Sequence, residues 1–153
     1  MNYKEIKKYI KDNPKAKIVI GCDSQLYKKK FKFVTAVVVY SNEKSKIFYD
    51  VSVEKITDTK KSRPFTRLMK ETEKAVNTAQ ELMDVILDRD FEIHLDINNS
   101  KAYGSNCVLS TAVGYVWGVI GIEPVIKPDS WGASCVADHI VKGKIKIAKN
   151  WFS

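Results

Sequence analysis

Two aspartates close two short apolar runs, Ile18-Val-Ile-Gly-Cys-Asp23-Ser24 and Phe91-Glu-Ile-His-Leu-Asp96-Ile97. A carboxylate at the end of a buried strand is costly unless it is paired, hydrogen-bonded or bound to a metal. If the two runs are neighbouring strands, Asp23 and Asp96 share one sheet edge, and a divalent cation between them would hold both ionised. Ser24 and Gln25 stand where they can hydrogen-bond the strand end. Asn98, Asn99 and Lys101 follow Asp96 in a polar stretch suited either to phosphate contact or to a plain turn. His94 shares a strand face with Asp96 and reads as a satisfied core histidine rather than a ligand. Cys22 points away from Asp23 into the core, and Trp117 and Trp131 read as packing residues.

The elements that must position these groups follow from periodicity. Tyr3, Ile6 and Ile10 recur at helical spacing, and Asn13-Pro14 ends that first helix, about residues 2–12. Lys17 to Asp23 is a first strand, residues 31–41 a long β-branched second strand, and Ser45 to Val53 an alternating third strand. Short connections make these three an antiparallel meander. The period then becomes helical: Pro64 suits a helix start, and Phe65, Leu68, Met69, Thr72, Ala75, Val76, Ala79, Leu82, Met83 and Ile86 form one apolar stripe. Phe91 to Ile97 is a fourth strand. Ser105 suits the cap of a helix from about Asn106 to Ile120, stopped at Gly121. Glu123 to Lys127 is a short fifth strand, and a last helix runs from about Trp131 to Lys142, with Gly143 as its stop. The tail to Ser153 alternates only weakly.

This order predicts a single α/β domain over residues 1–153. Its mixed five-stranded sheet has strands 1–3 antiparallel and strands 1, 4 and 5 parallel, with helices on both faces. Right-handed crossovers make strands 1 and 4 parallel neighbours, and ligands gather at the carboxyl ends of such strands. At 153 residues and 44% hydrophobic, the chain can bury one core and has little room for a second. No segment reaches the ~20 apolar residues of a membrane span. The first residues lack the apolar centre of a signal peptide, and the three cysteines form no CxxC pair. These features predict a cytoplasmic protein without disulfides or a zinc knuckle. The net charge of +8 suggests an anionic partner such as nucleic acid. Only Arg63, Arg67 and Arg89 are arginines, so a lysine-rich composition competes with that reading.

The segments Ile20-Gly-Cys-Asp23-Ser24-Gln25, Leu68-Met-Lys-Glu71-Thr72, Ile93-His-Leu-Asp96-Ile97 and Ile126-Lys-Pro128, with Ala133-Ser134 beyond, carry a resemblance. In that order they are similar to the ribonuclease H-like YkuK family, within the ribonuclease H-like (retroviral integrase-like) superfamily. The likeness spans about residues 16–142. Asn98 departs from the glycine expected after Asp96-Ile97.

The resemblance implies a carboxylate cluster holding one or two Mg²⁺ or Mn²⁺ ions. Asp23 would bridge them, Asp96 would ligate from the adjacent strand, Glu71 from the long helix, and Asp138 from the last helix. Two such metals ~4 Å apart activate a water and stabilise the leaving oxygen of a phosphodiester. Periodicity alone leaves Glu73, between Met69 and Val76, as a rival to Glu71. At ~100° per residue Asp138 falls past the Val141 edge of the apolar face of Ala133, Val136, Ala137, Ile140 and Val141, facing either the metal or water. His139 beside it is either a proton shuttle or inert. Without metal, mutual repulsion among the acids should raise their pKa values. The expected activity is a metal-dependent nuclease acting on RNA, DNA or a hybrid. The competing expectation is an inactive module of the same fold that binds nucleic acid or a protein.

Overall fold

A computed structural model describes residues 1–60, 62–98 and 106–142. Helix α1 spans Tyr3–Asp12, capped by the Asn2 side chain, which accepts from the Glu5 amide at 3.2 Å. The meander follows as β1 (Lys17–Tyr27), β2 (Lys30–Tyr40) and β3 (Ser45–Glu54). Helix α2 (Arg63–Glu81) has Pro64 in its first turn and gives way at Leu82 to one further turn, α3 (Met83–Ile86). Strand β4 is Phe91–Leu95 and α4 is Asn106–Ile120. The expected Ser105 cap, Asn99, Lys101, the Gly143 stop and the tail lie outside the described residues.

The sheet order is β3-β2-β1-β4, with β1 antiparallel to β2 and parallel to β4. The fifth strand expected at Glu123–Lys127 is reduced to one parallel bridge, His94 to Val125. Its bonds are Leu95 N to Val125 O (2.9 Å), Val125 N to Ile93 O (2.8 Å) and Lys127 N to Ile97 O (3.0 Å). Continuing that register would direct Lys127 N to Leu95 O; it bonds Ile97 O instead, so the ladder does not extend past the one bridge.

Alternation along β1 and β2 separates two faces. Ile18, Ile20, Cys22, Phe33, Val37 and Val39 pack with α1, α2, α3 and α4 in the larger core. Val19, Val34, Ala36 and Val38 meet Val136, Ala137, Ile140 and Val141 of the last helix on the opposite face. That helix departs from the uniform α-helix expected. A π-wound segment, Gly132–Ala137, runs straight into α5, Asp138–Val141. The wider winding turns every later residue relative to an α-helical phase. Helices therefore cover both faces, as the order of elements predicts.

Candidate functional site

Asp23 lies within β1 rather than at its end. Its pairing with β2 continues to Tyr27 and Lys30, whereas the parallel ladder with β4 stops at Cys22 and Leu95. Asp23 and Asp96 therefore emerge side by side where that ladder ends. Asp23 shares a face with Val34, and so with the last helix; Ser24 turns to the other face, toward α2.

The π-wound segment brings Asp138 over this edge. Gly21 and Gly132 allow the approach: a Cβ on Gly21 would stand 2.6 Å from the Gly132 carbonyl carbon and 2.7 Å from the Ala133 nitrogen. The Asp138 carboxyl comes close enough to Asp23 to act on its ionisation. Burial, then the neighbouring Asp96 charge, then this adjacent carboxyl push the Asp23 carboxyl up to about 7. Asp96 and Asp138 have other partners as well. Lys127 Nζ lies 3.0 Å from Asp96 Oδ1, which also accepts from Ser134 Oγ at 3.0 Å; Lys142 Nζ lies 2.8 Å from Asp138 Oδ1.

Glu71 reaches the same edge from the opposite face. It is buried, whereas Glu73 is exposed, and this decides between the two helical acids. Ser24 Oγ donates to Glu71 Oε1 at 2.5 Å, and Arg67 Nε donates to Ser24 Oγ at 2.7 Å. Arg67 also donates to the Ser24 carbonyl at 3.0 Å and stands 3.7 Å from Glu71. Burial, then the Asp23 charge, raise the Glu71 carboxyl well above the usual range, against the pull of Ser24 and Arg67. Removing Arg67 leaves a buried carboxylate with only a hydroxyl partner. Arg67→Met should cost about 1 to 2 kcal/mol in urea unfolding, and adding Glu71→Gln should recover most of it. Equal stability of the single and double variants would contradict this role for Arg67.

The other candidates fall outside the cluster. His94 is fully buried: Nδ1 accepts from the Gly132 amide at 2.9 Å and Nε2 donates to Glu92 at 3.2 Å, so the ring is neutral, with burial lowering its pKa. It is a core histidine that seats the π-wound segment. His139 Nδ1 donates to the Cys135 carbonyl at 2.6 Å. Cys22 is buried, with the Thr35 hydroxyl 3.5 Å from its sulfur. Trp131 packs edge-on against His94 and Tyr40, while Trp117 is exposed on α4 rather than packed. Gln25 is exposed beyond the cluster and Asn98 is half-buried just past Asp96.

Three cations escape the sequence reading. Arg67 and Lys142 stand four residues from Glu71 and Asp138, a spacing that can reveal such pairs. Lys127 has no such spacing; it stands in the Ile126-Lys-Pro128 segment and reaches Asp96 through the fold.

The donor set fits a hard divalent ion: four carboxylates from four elements, with two ammonium groups supplying positive charge where they converge. As the side chains lie, no three of the described acids, histidines or cysteines are grouped to ligate one ion. A metal would be held by Asp23, Asp96 and Asp138 in place of the lysines, with Glu71 reaching from the far face.

No helix among the described residues is long and apolar enough to cross a membrane. No curated protein and no solved structure matches the chain. The sequence pattern of the ribonuclease H-like family matches residues 2–142, nearly its whole length. On that span the chain belongs to the ribonuclease H-like family.

Proposed function

We propose that the chain is a divalent-metal-dependent nuclease that hydrolyses phosphodiester bonds of RNA or DNA. The observation that carries this reading is the convergence of the buried Asp23 with Asp96 and Asp138 where the parallel ladder ends. Such a cluster is unfavourable by itself and becomes favourable around Mg²⁺ or Mn²⁺. The bound ions would supply Lewis acidity toward the phosphodiester and an ionised water. The chain's own residues do the rest: the carboxylates fix the ions, and Ser24, Ser134 and Arg67 hold Asp96 and Glu71 in place. Lys127 and Lys142, once released from Asp96 and Asp138, can bind phosphate oxygens.

The test is a melting titration with each ion, together with cleavage assays on labelled RNA, DNA and hybrid. An ion at a hundred times its Kd stabilises by about 2.7 kcal/mol. That gain, and cleavage, should disappear in Asp23→Asn and in Asp96→Asn. No saturable effect of either ion on wild-type melting would rule the reading out.

A second reading has the two lysine ion pairs in its favour, since they neutralise the acids without metal. A module of that kind binds nucleic acid with steep salt dependence, and Asp23→Asn leaves its affinity unchanged.

A further inference from the structure

The β1–β2 hairpin runs past the rest of the sheet. Strand β4 accompanies β1 only to Cys22, yet β1 and β2 stay paired through Tyr27 and Lys30. The two loop residues, Lys28 and Lys29, have φ of 47° and 66°. A two-residue turn with both residues left-handed is the place for Asn-Gly, because lysine is strained there. Here the chain keeps two lysines instead. Lys30 and Lys32 follow, so four of five consecutive residues are cationic.

The tip also carries apolar surface that folding does not use. Tyr27 is 52% exposed and Leu26 58%, among the highest exposures of large apolar side chains described. Tyr27 lies two strand positions beyond Gln25 and four beyond Asp23, so all three share one face, with Lys30 directly across from Tyr27 and Lys32 across from Gln25. At about 3.3 Å per residue, the ring stands about 13 Å along the strand from the Asp23 carboxylate. On the opposite face the hairpin is braced by α2, with Arg67 5.5 Å from the Phe31 ring centroid. The braced hairpin presents an exposed aromatic ring, with Lys28 Nζ 5.4 Å from its centroid, and a row of cations that leads to the acid cluster.

We propose that this hairpin tip is a docking arm for single-stranded nucleic acid. A base stacks on Tyr27, while Lys28, Lys29, Lys30 and Lys32 neutralise phosphates of the strand running toward Asp23. Stacking on an exposed ring and a lysine track along the backbone are what sequence-tolerant single-strand recognition requires. A net charge of +8 adds to the attraction. The proposal deepens the nuclease reading and rests on it for where the strand leads.

The test is anisotropy of fluorescein-labelled oligothymidine and oligouridine, titrated with the full chain in EDTA, where no cleavage competes. Tyr27→Ala should weaken binding about tenfold, with Tyr27→Phe close to wild type. Lys28→Asn with Lys29→Gly should keep or raise the melting temperature, because the turn is relieved, yet weaken binding. It should also reduce the slope of log affinity against log salt by about 1.4, at ~0.7 per phosphate contact. Wild-type affinity in both variants overturns the docking arm, as does no single-strand binding at low salt. Duplex DNA binding more tightly than either oligonucleotide, with Tyr27→Ala unchanged, also overturns it. Because metal is absent, these outcomes are independent of the ion titration. A failed arm leaves the metal reading standing, and an inert ion titration leaves the arm standing.

Discussion

Replacing one carboxylate oxygen, as Asp23→Asn, should stabilise the metal-free protein. Asp23 is 4% exposed, and its carboxyl is pushed from an ordinary 3.8 to about 7 by burial, by Asp96 and by the adjacent Asp138 carboxyl. At about pH 8 the folded protein therefore holds an ionised group that the unfolded chain solvates more favourably. A rise of that size corresponds to on the order of 4 kcal/mol. The amide is neutral and its nitrogen can donate to Asp138, so most of that cost should vanish. For a domain of this size a gain of about 3 kcal/mol moves Tm by roughly 10 °C. In saturating Mg²⁺ the order should reverse, because only the wild type gains from the ion. Metal-free melting of Asp23→Asn at or below wild type would remove Asp23 from the strained position assigned to it.

The same shift sets a pH dependence with a definite sign. The folded protein binds the Asp23 proton more tightly than the unfolded chain does, so stability falls as pH rises from about 4 through about 7. Glu71, also raised, slopes in the same direction. His94 opposes them: its lowered pKa means stability is lost as pH falls below the ordinary 6.5, where the unfolded ring takes a proton first. The two trends separate between about pH 8 and pH 6.5. There the metal-free wild type should gain about 1 kcal/mol on acidification, most of it missing in Asp23→Asn.

Particular residues show how much of this was legible in the chain. The alternation of β1 to β3 and the helical recurrence of α1, α2 and α4 are local properties, and the elements stand where periodicity puts them. Asp23 is different. Its run reads as ending at the acid because the apolar alternation stops there, whereas the backbone continues, paired with β2 alone. What ends near Asp23 is a ladder to another strand, which no local pattern encodes. Glu123 to Lys127 reads as a strand from its composition, yet the bond of Lys127 to Ile97 slips the register and leaves a single bridge. Glu71 and Glu73 have nearly equal claims by periodicity, and only packing against Ser24 and β1 separates them. The π winding beneath Asp138 is least visible, since it lies in a segment seated on β1 where two glycines distant in sequence meet.

That meeting makes Gly21→Ala the most disruptive small substitution expected in the fold. A methyl group there would lie 2.6 Å, 2.7 Å and 2.8 Å from Gly132 C, Ala133 N and Gly132 O. All three are backbone atoms of the π-wound segment, so no side-chain rotation relieves the contact and the helix itself must lift. The lift opens the packing of Val136 and Ala137 against Val19, Val34 and Ala36, and separates the Gly132 amide from His94 Nδ1. Overpacking against backbone at a buried site should cost about 3 kcal/mol, lowering Tm by roughly 10 °C. Gly114→Ala supplies the contrast: a methyl group on that residue of α4 meets nothing within 4 Å, and alanine should stabilise the helix by up to about 1 kcal/mol. Because the lifted helix carries Asp138, the stabilisation of Gly21→Ala by Mn²⁺ should also fall well below that of wild type, while Gly114→Ala keeps it in full. If Gly21→Ala loses stability but keeps the whole Mn²⁺ effect, Asp138 is not a ligand. If it melts with wild type, the last helix does not rest on β1 through these two glycines.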